Sequence, residues 1–515
     1  MFQAFAAIVC LVSALLYYYR GRTSKPPLPP GPKPLPVVGN LHQVPREKQY
    51  KVFQEWARVY GPVVYFRVFR QDFVILNSVK SIVDLFEKRS GKYSTRPRFV
   101  MVDELLGRKY NSVLFMKHGQ KLKKARQYMH RWLSQKNLET YMPLQYSASC
   151  QLLKRLLEDP ERFTEHVRTA AGSIIHRATY GIKCKPDDDP FLAMSDEVIR
   201  ITAIGSRPGW LVDSFPFLRF MPSFLPGAGF RRWAQRSRKT LDLLASSPYK
   251  WTQDQVVNGS PPPCFVGDQL KQDGQDARGH FDEDTLITAA ATLTTAGIET
   301  VVPTLRAFFL MMVVYPEVRL RAQKEVDAVV GPYRLATIED RPSMPYIVCM
   351  VKELLRWNVT VHIAPHSLDE DDIYEGYLIP KGACVAANVW GILNDPLVYQ
   401  DPDVFNPGRF DPALGDKAEM DPLPLAFLIG MGRRFCPGSH YSLSFLFLTI
   451  AHILSVFDIL PPLDKNGEEF IPPVVFEDLH IRRLAPFKCR IVPRNTEKVE
   501  LVNNVFGTLD QVLCQ

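Results

Sequence analysis

Segments in which apolar residues recur at helical spacing fill most of the chain between residues 119 and 357. Apolar and polar residues alternate at 63–77, where Arg70, Gln71 and Asp72 predict a turn between two strands. The sequence therefore predicts a fold that is mainly α with minor β structure. Helices are predicted over eight segments, at residues 119–135, 137–157, 163–180, 190–204, 228–248, 283–314, 315–331 and 345–357.

The interior of the 515-residue chain contains no internal repeat and no long linker rich in glycine, serine or charge. With 46% hydrophobic and 23% charged residues, the composition is that of an ordered globular protein. One large domain over residues 37–515 is the simplest organisation. Residues 258–280 are polar and rich in glycine and proline, which predicts a solvent-exposed loop.

The nine cysteines are odd in number, widely scattered and never arranged as C-x-x-C, which disfavours a disulfide scaffold or a zinc site. The net charge is +9, and basic residues cluster at 117–126 and 231–239. Each cluster suits an acidic partner or anionic lipid, or is simply a solvated helix face. No nucleic-acid-binding motif accompanies them, so we do not expect a nucleic-acid partner.

Residues 2–19 carry no charge and would span ~27 Å as a helix, about the thickness of a thin bilayer core. Arg20, Arg22 and Lys25 follow this run, and no basic residue precedes it. That pattern favours a transmembrane anchor at 1–19 over a cleaved signal peptide, with the rest of the chain in the cytosol.

Residues 20–36 are basic and then rich in proline, which is typical of a stiff, extended hinge. Such a hinge would hold the following domain at a fixed attitude to the membrane. A ligand for an SH3 domain is the alternative reading of the prolines.

The segment 429–438 reads I-G-M-G-R-R-F-C-P-G and precedes an apolar run at 439–456 that predicts a helix. Its glycines allow a tight turn, and Gly438 lets the backbone approach a flat partner closely. The helix N-terminus would direct N–H groups at Cys436 and favour the thiolate, which can bind iron. Arg434 would meet an anionic group of the same partner, such as a haem propionate. The alternative is an inert buried cysteine.

Gly432-x-Arg434-x-Cys436-x-Gly438 resembles the haem-binding loop of the cytochrome P-450 family. Glu353 and Arg356 are similar to the E-x-x-R of that family's K helix, and Arg409 lies in a P-x-R-F-like stretch that would complete a buried ion-pair network with them. The resemblance covers essentially the whole chain, to residues 486–489, which look like the family's last hairpin. It implies a haem-thiolate enzyme with Cys436 as the axial ligand.

Residues 296–300 (A-G-I-E-T) are similar to the oxygen-binding groove of the family's I helix. Gly297 would remove bulk, and Thr300 could hydrogen-bond to the preceding turn so that the helix opens locally. The resemblance implies that Glu299 and Thr300 deliver protons to bound oxygen. The alternative reading of 283–314 is a second membrane span, which the charge of Glu299 disfavours.

The chain departs from the family pattern at Ile429, Leu122, Val301 and Ser439. Because Leu122 stands where a tryptophan usually contacts a haem propionate, other residues must supply those contacts. Lys123, Arg126 and His366 are the expected propionate partners.

The resemblance implies a haem b monooxygenase that receives electrons from NADPH through flavins of a separate cytochrome P-450 reductase, with cytochrome b5 as a further partner. No nucleotide-binding glycine motif occurs in this chain. The endoplasmic reticulum membrane is the expected location. The chain looks most like microsomal P-450s of filamentous fungi and mushrooms, which implies a hydrophobic substrate such as a terpenoid or polyketide. A haem-thiolate isomerase or dehydratase that needs no O₂, and a catalytically silent haem-binding membrane protein, are the alternatives.

Overall fold

The structure is a computed structural model that describes residues 26–134, 137–259, 263–273, 282–428, 431–478 and 481–513. Residues 26–97 and 363–388 form a sheet unit, and residues 98–362 and 389–513 form a helical unit. The predicted anchor at 1–19 and the first residues of the hinge lie outside the described residues.

The sheet unit is built on four strands, in the spatial order β1 (Val63–Val68), β2 (Gln71–Leu76), β6 (Cys384–Ala387) and β3 (Ala364–Ser367). β2 and β6 are parallel, and the other two neighbouring pairs are antiparallel. Residues 26–34 have no regular secondary structure, and the carbonyl of Pro30 accepts a hydrogen bond from Tyr65 N at 2.8 Å. The elements are α1 (Gln49–Tyr60), β1 (Val63–Val68), β2 (Gln71–Leu76), α2 (Val79–Ile82), a π-helical turn (Val83–Glu87), α3 (Ser90–Tyr93), β3 (Ala364–Ser367), β4 (Asp372–Tyr374), β5 (Tyr377–Ile379) and β6 (Cys384–Ala387).

The two strands predicted at 63–77 are confirmed, but the turn between them lies one residue earlier than predicted. Gln71 and Asp72 pair with Val68 and Arg67 inside the ladder, so the turn is formed by residues 69 and 70. Phe69 has a φ of 50°, a left-handed conformation of the kind that tight hairpins require.

The helical unit contains all eight predicted helices and the predicted helix at 439–456, most of them within two residues of the predicted bounds. The largest difference is that the helix expected to end at 248 continues to Val257. The α-helices are α4 (Arg108–Asn111), α5 (Gln120–Trp132), α6 (Leu138–Glu158), α7 (Phe163–Tyr180), α8 (Pro190–Gly205), α9 (Leu211–Ser214), α10 (Gly229–Val257), α11 (Phe265–Asp273), α12 (Glu283–Val314), α13 (Pro316–Val330), α14 (Pro345–Trp357), α15 (Val389–Leu393), α16 (Leu423–Ala426), α17 (Ser439–Val456) and α18 (Thr496–Leu513).

Two antiparallel pairs of short strands and several short helical turns complete the helical unit. β7 pairs with β10 and β8 pairs with β9, both antiparallel. The predicted last hairpin at 486–489 is wrong in position, because the hairpin is formed by β8 and β9. The strands are β7 (Phe457–Leu460), β8 (Phe476–Asp478), β9 (Arg482–Leu484) and β10 (Arg490–Pro493), and the turns are a π-helix at Val100–Leu105 and 3₁₀ segments at Pro160–Arg162, Pro216–Phe220, Ile338–Ser343, Pro407–Phe410, Pro412–Lys417 and Gly432–Arg434.

The prediction of a loop throughout 258–280 is wrong, because α11 lies inside that range. Phe265 and Val266 are fully buried, and the Phe265 ring packs against Trp132 with 5.4 Å between centroids. Two adjacent apolar residues anchor this helix. The residues around them are mostly polar, so the composition of the segment predicts a loop instead of a helix.

Among the described residues, α12 and α17 are long and apolar enough to cross a membrane, but 67% and 83% of their most apolar windows are buried inside the protein. α12 packs against α5, α7, α10 and α17. Its apolar surface is therefore covered by other helices of the same unit, and we assign it to the core rather than to a second membrane span.

Candidate active site

Cys436 lies in the turn that leads into α17. Gly432 adopts a left-handed conformation with a φ of 58°, and the N–H of Cys436 donates to the carbonyl of Phe427 at 3.0 Å. Together they hold Cys436 at the N-terminal end of α17, where the residue as a whole is half-buried. A Cβ added at Gly438 would lie 3.9 Å from the Cys436 Sγ, so the missing side chain keeps space beside the sulphur open. Ile429 lies outside the described residues.

Opposing effects act on the protonation of Cys436. Burial raises the pKa of the thiol, and the Gly438 N–H and the positive charge of Arg126 oppose that rise. We expected the helix N-terminus to favour the thiolate; its N–H does act in that direction, but burial is the larger effect. A metal ion bound to the sulphur would favour the thiolate by its own positive charge.

Arg126 reaches the same turn from α5. It donates to the carbonyl of Phe435 at 2.8 Å, and its guanidinium lies 4.9 Å from the centroid of the Phe435 ring. Burial lowers its pKa, and no carboxylate of the described residues lies within 4 Å of it. A partly buried cation beside a cysteine suits a haem, which carries both iron for the sulphur and anionic propionates for the cation.

The other expected propionate partners have different surroundings. Arg434 is buried and donates to the carbonyls of Val113 (3.2 Å) and Met116. Lys123 is exposed on α5, one turn before Arg126. His366 lies in β3 of the sheet unit, fully buried, and stacks on Phe86 with 4.2 Å between ring centroids.

Thr300 and Glu299 lie midway along α12. Thr300 Oγ1 donates to the carbonyl of Ala296 at 3.0 Å, the bond to the preceding turn that we expected. Ala296 is exposed although Thr294 and Ile298 are buried, so α12 borders open space at this turn. This space is where a ligand beside the helix would lie.

The helix does not open at this turn. It is continuous through Gly297 and Pro303. A Cβ at Gly297 would lie only 3.0 Å from Ile175 of α7. The missing side chain therefore allows α7 to approach closely, and the expectation of a locally unwound helix is wrong.

The structure brings Glu353, Arg356 and Arg409 together in one buried network. Arg356 donates to both oxygens of Glu353, at 2.6 and 2.9 Å, and Arg409 Nε donates to Glu353 Oε1 at 3.1 Å. The side chains of Glu353 and Arg356 are 0% exposed and that of Arg409 is 3% exposed. Buried charges of this kind are held by each other rather than by water.

A fourth member of the network, Glu419, was not predicted from the sequence. Arg409 Nη1 donates to Glu419 Oε2 at 2.7 Å. Two buried arginines and one glutamate leave an excess positive charge, so a second carboxylate is needed to balance them. The need to balance the charges of two buried arginines could therefore have indicated a second carboxylate, although not its position in the sequence.

A model of the family "Cytochrome P450" matches residues 29–478 of this chain. The match includes every residue of the site described above. The chain therefore belongs to the cytochrome P450 family, whose members bind haem iron through a cysteine thiolate.

Several fungal relatives cover almost the full length of the chain. Cytochrome P450 monooxygenase COX2 of Coprinopsis cinerea is 37% identical over 95% of this chain and 94% of its own length. Tryptamine 4-monooxygenase of Psilocybe cyanescens is 36% identical over 96% of this chain and 99% of its own length. Cytochrome P450 monooxygenase claR of Ampulloclitocybe clavipes is 36% identical over 93% and 88%. The protein is accordingly a monooxygenase of the oxidoreductase class.

Replacing Glu353 by Gln should strongly destabilise the helical unit. The substitution keeps the volume but leaves Arg356 without a buried counter-charge and Arg409 with Glu419 alone. Breaking a buried ion pair from one side costs about 3–5 kcal/mol. Guanidinium unfolding followed by far-UV circular dichroism measures the loss.

Glu197→Gln is the matched control, because Glu197 and Arg200 have the same E-x-x-R spacing on the surface of α8. Their side chains are 37% and 55% exposed. Solvent screens this pair, so the substitution should change stability by less than about 1 kcal/mol. Equal losses in the two variants would contradict the role assigned to burial.

Proposed function

We propose that this enzyme inserts one oxygen atom of O₂ into a C–H bond of a hydrophobic small molecule, using a haem b held by Cys436. The observation that carries the proposal is the position of Cys436 in the turn before α17, beside the guanidinium of Arg126, which has no carboxylate within 4 Å among the described residues. When bound, the haem supplies the activation of O₂.

Cys436 is the proposed axial ligand, and four basic side chains are the proposed propionate partners. Gly432 allows the turn before the cysteine, and Gly438 leaves space at the face of the ligand. The support for Arg126 is its position beside Phe435; Arg434 is supported by its burial in the same turn. The proposed propionate partners are Lys123, Arg126, Arg434 and His366.

Thr300 and Glu299 are the proposed proton donors at the distal side. The Thr300 hydroxyl donates to Ala296 O, so its oxygen can accept a hydrogen bond from a water molecule and hold that water in position to pass on a proton. Glu299 is partly exposed one residue earlier and can exchange protons with solvent. A hydroxyl and a carboxyl together form a short proton route.

The electrons are proposed to come from NADPH through the flavins of a separate cytochrome P-450 reductase, with cytochrome b5 as an additional donor. Lys117, Lys121 and Lys123 are exposed at the start of α5, the helix that carries Arg126. An exposed basic surface this close to the cysteine turn suits an acidic redox partner.

We propose the endoplasmic reticulum membrane as the location, with 1–19 as the anchor and the catalytic domain in the cytosol. A second apolar surface lies at 210–225. Five of the ten large apolar side chains in this stretch are exposed: Leu211, Phe217, Phe220, Phe224 and Leu225. This apolar surface would insert into the interfacial region of the membrane.

The proposed substrate is a secondary-metabolism intermediate such as a terpenoid or polyketide. The support is the similarity to fungal monooxygenases, including one named for tryptamine. No feature of the described residues favours an isomerase, a dehydratase or a silent haem protein over the oxygenase.

The Cys436→Ala variant should lose the red-shifted Soret band that a reduced, CO-bound haem thiolate gives, because the iron would lose its sulphur ligand. Cys349→Ala is the control, since Cys349 is buried in α14 and donates to the carbonyl of Phe410. Absorption spectra of the reduced CO complexes test this. Persistence of the band in Cys436→Ala would refute the ligand assignment.

Thr300→Ala should leave CO binding nearly intact but lower the yield of product per NADPH severalfold, with a matching rise in hydrogen peroxide. The physical reason is that protons reach bound oxygen less readily. Product, peroxide and NADPH are measured in the same reconstituted reaction. Thr304→Ala is the control, because Thr304 makes the same bond to the carbonyl four residues earlier, at 2.9 Å. An unchanged yield in Thr300→Ala would rule out this role.

Deleting residues 1–19 should release much of the protein from membranes and leave the CO spectrum unchanged. Some association should persist through the apolar surface at 210–225. Carbonate-washed membrane fractions compare the two forms. Equal retention of the shortened and full chains would contradict the anchor.

A further inference from the structure

Arg108 is a buried cation whose charge the protein does not balance directly. The residue, at the start of α4, is 5% exposed. Its Nη1 donates to Asn111 Oδ1 at 2.9 Å, and its buried Nε has no hydrogen-bond partner. No carboxylate of the described residues lies within 4 Å of the guanidinium. Leaving such a group without an anion is costly, so it indicates a ligand.

Two carboxylates influence Arg108 without pairing with it. Burial lowers the pKa of Arg108 to about 10, and the charges of Glu299 and Asp242 oppose that shift. Asp242 is reached only through Asn111, whose Nδ2 donates to Asp242 Oδ1 at 3.2 Å, and its side chain is 58% exposed. Arg108 therefore remains protonated at neutral pH and retains hydrogen-bonding capacity for another group.

The guanidinium borders a narrow cavity between α7, α8, α10 and α12. Its walls are mostly apolar, with Phe191 and Val198 from α8 and Leu241 from α10, and Thr295 contributes from α12. The cavity has an empty volume of about 380 Å³, which includes its opening to solvent, and its enclosed part takes groups of about the size of a water molecule. A carboxylate oxygen has that size, and an apolar wall suits the hydrocarbon behind it.

The position of Arg108 relative to α12 is held by hydrogen bonds. Thr288 Oγ1 donates to the carbonyl of Tyr110 at 3.0 Å, and Thr292 Oγ1 accepts from Val113 N at 3.0 Å. Thr295 lies five residues before Thr300, which is ~7.5 Å along the helix axis. An anion at Arg108 would therefore be one to two helix turns from the proposed proton donor.

We propose that Arg108 binds a carboxylate of the substrate, so that the enzyme prefers apolar molecules bearing one carboxylate over neutral molecules of the same length. The inference rests on the proposed function, and it narrows the substrate class from hydrophobic molecules to carboxylate-bearing amphiphiles. A charge-assisted bond to a rigid guanidinium explains the preference.

The test uses the holoenzyme and two pairs of probes, decanoate with 1-decanol and laurate with 1-dodecanol. Equilibrium dialysis should give tighter binding of each carboxylate than of its alcohol, by about tenfold, which corresponds to about 1.4 kcal/mol. Arg108→Gln should abolish this difference, and Arg108→Lys should retain part of it. Lys109→Gln is the control, because Lys109 carries the neighbouring charge outside the cavity wall and should leave the preference unchanged.

Reduced CO spectra of every variant separate this inference from the proposed function. If the wild-type protein shows the thiolate band and binds acid and alcohol equally, the carboxylate site is wrong and the monooxygenase proposal is unaffected. Preference retained in Arg108→Gln would overturn the site as well. Absence of the thiolate band in the wild-type protein would instead refute the haem-thiolate proposal.

Discussion

The buried carboxylate of Glu353 is the constraint that holds α14 and the segment 393–410 of the helical unit together. A charge removed from water must be compensated within the protein, and Glu353 is compensated by Arg356 from its own helix and Arg409 from the segment that follows α15. Arg356 also donates to the carbonyls of Leu393 and Pro402, at 3.0 and 2.8 Å. These bonds fix an otherwise irregular stretch of chain against α14, and that stretch precedes α16 and the cysteine turn in the sequence.

The proposed binding regions differ from the Glu353 network in one respect: their buried or partly buried arginines have no carboxylate partner in the part of the chain that the structure describes. Arg356 and Arg409 have their carboxylates within the protein, whereas Arg126 and Arg108 have none within 4 Å among the described residues. Both of the latter border space beside elements that carry the proposed chemistry. An anionic ligand supplies the missing charge in each case: propionate at Arg126 and, by our proposal, substrate carboxylate at Arg108.

The sequence predicted the helices well wherever apolar residues recur over several turns, since an amphipathic or buried helix needs that pattern to pack. The predictions from the sequence were wrong where one or two residues determine the local structure. Phe265 and Val266 anchor α11 within a polar stretch, and Gly297 serves contact with Ile175 rather than an opened helix. The stretch 210–225 is rich in apolar residues, yet five of its ten large apolar side chains are exposed to solvent.

By itself, the sequence determined the helical class, the family and the identity of the cysteine turn, because these follow from local periodicity and from motifs in a fixed order. Only the tertiary structure decided which charges are buried. Glu353-x-x-Arg356 and Glu197-x-x-Arg200 have the same local pattern, and one pair is inaccessible while the other is on the surface. The additional partner Glu419 and the unbalanced guanidinium of Arg108 arise from contacts between distant segments. Burial depends on such contacts, and the electrostatic consequence of a charge depends on burial.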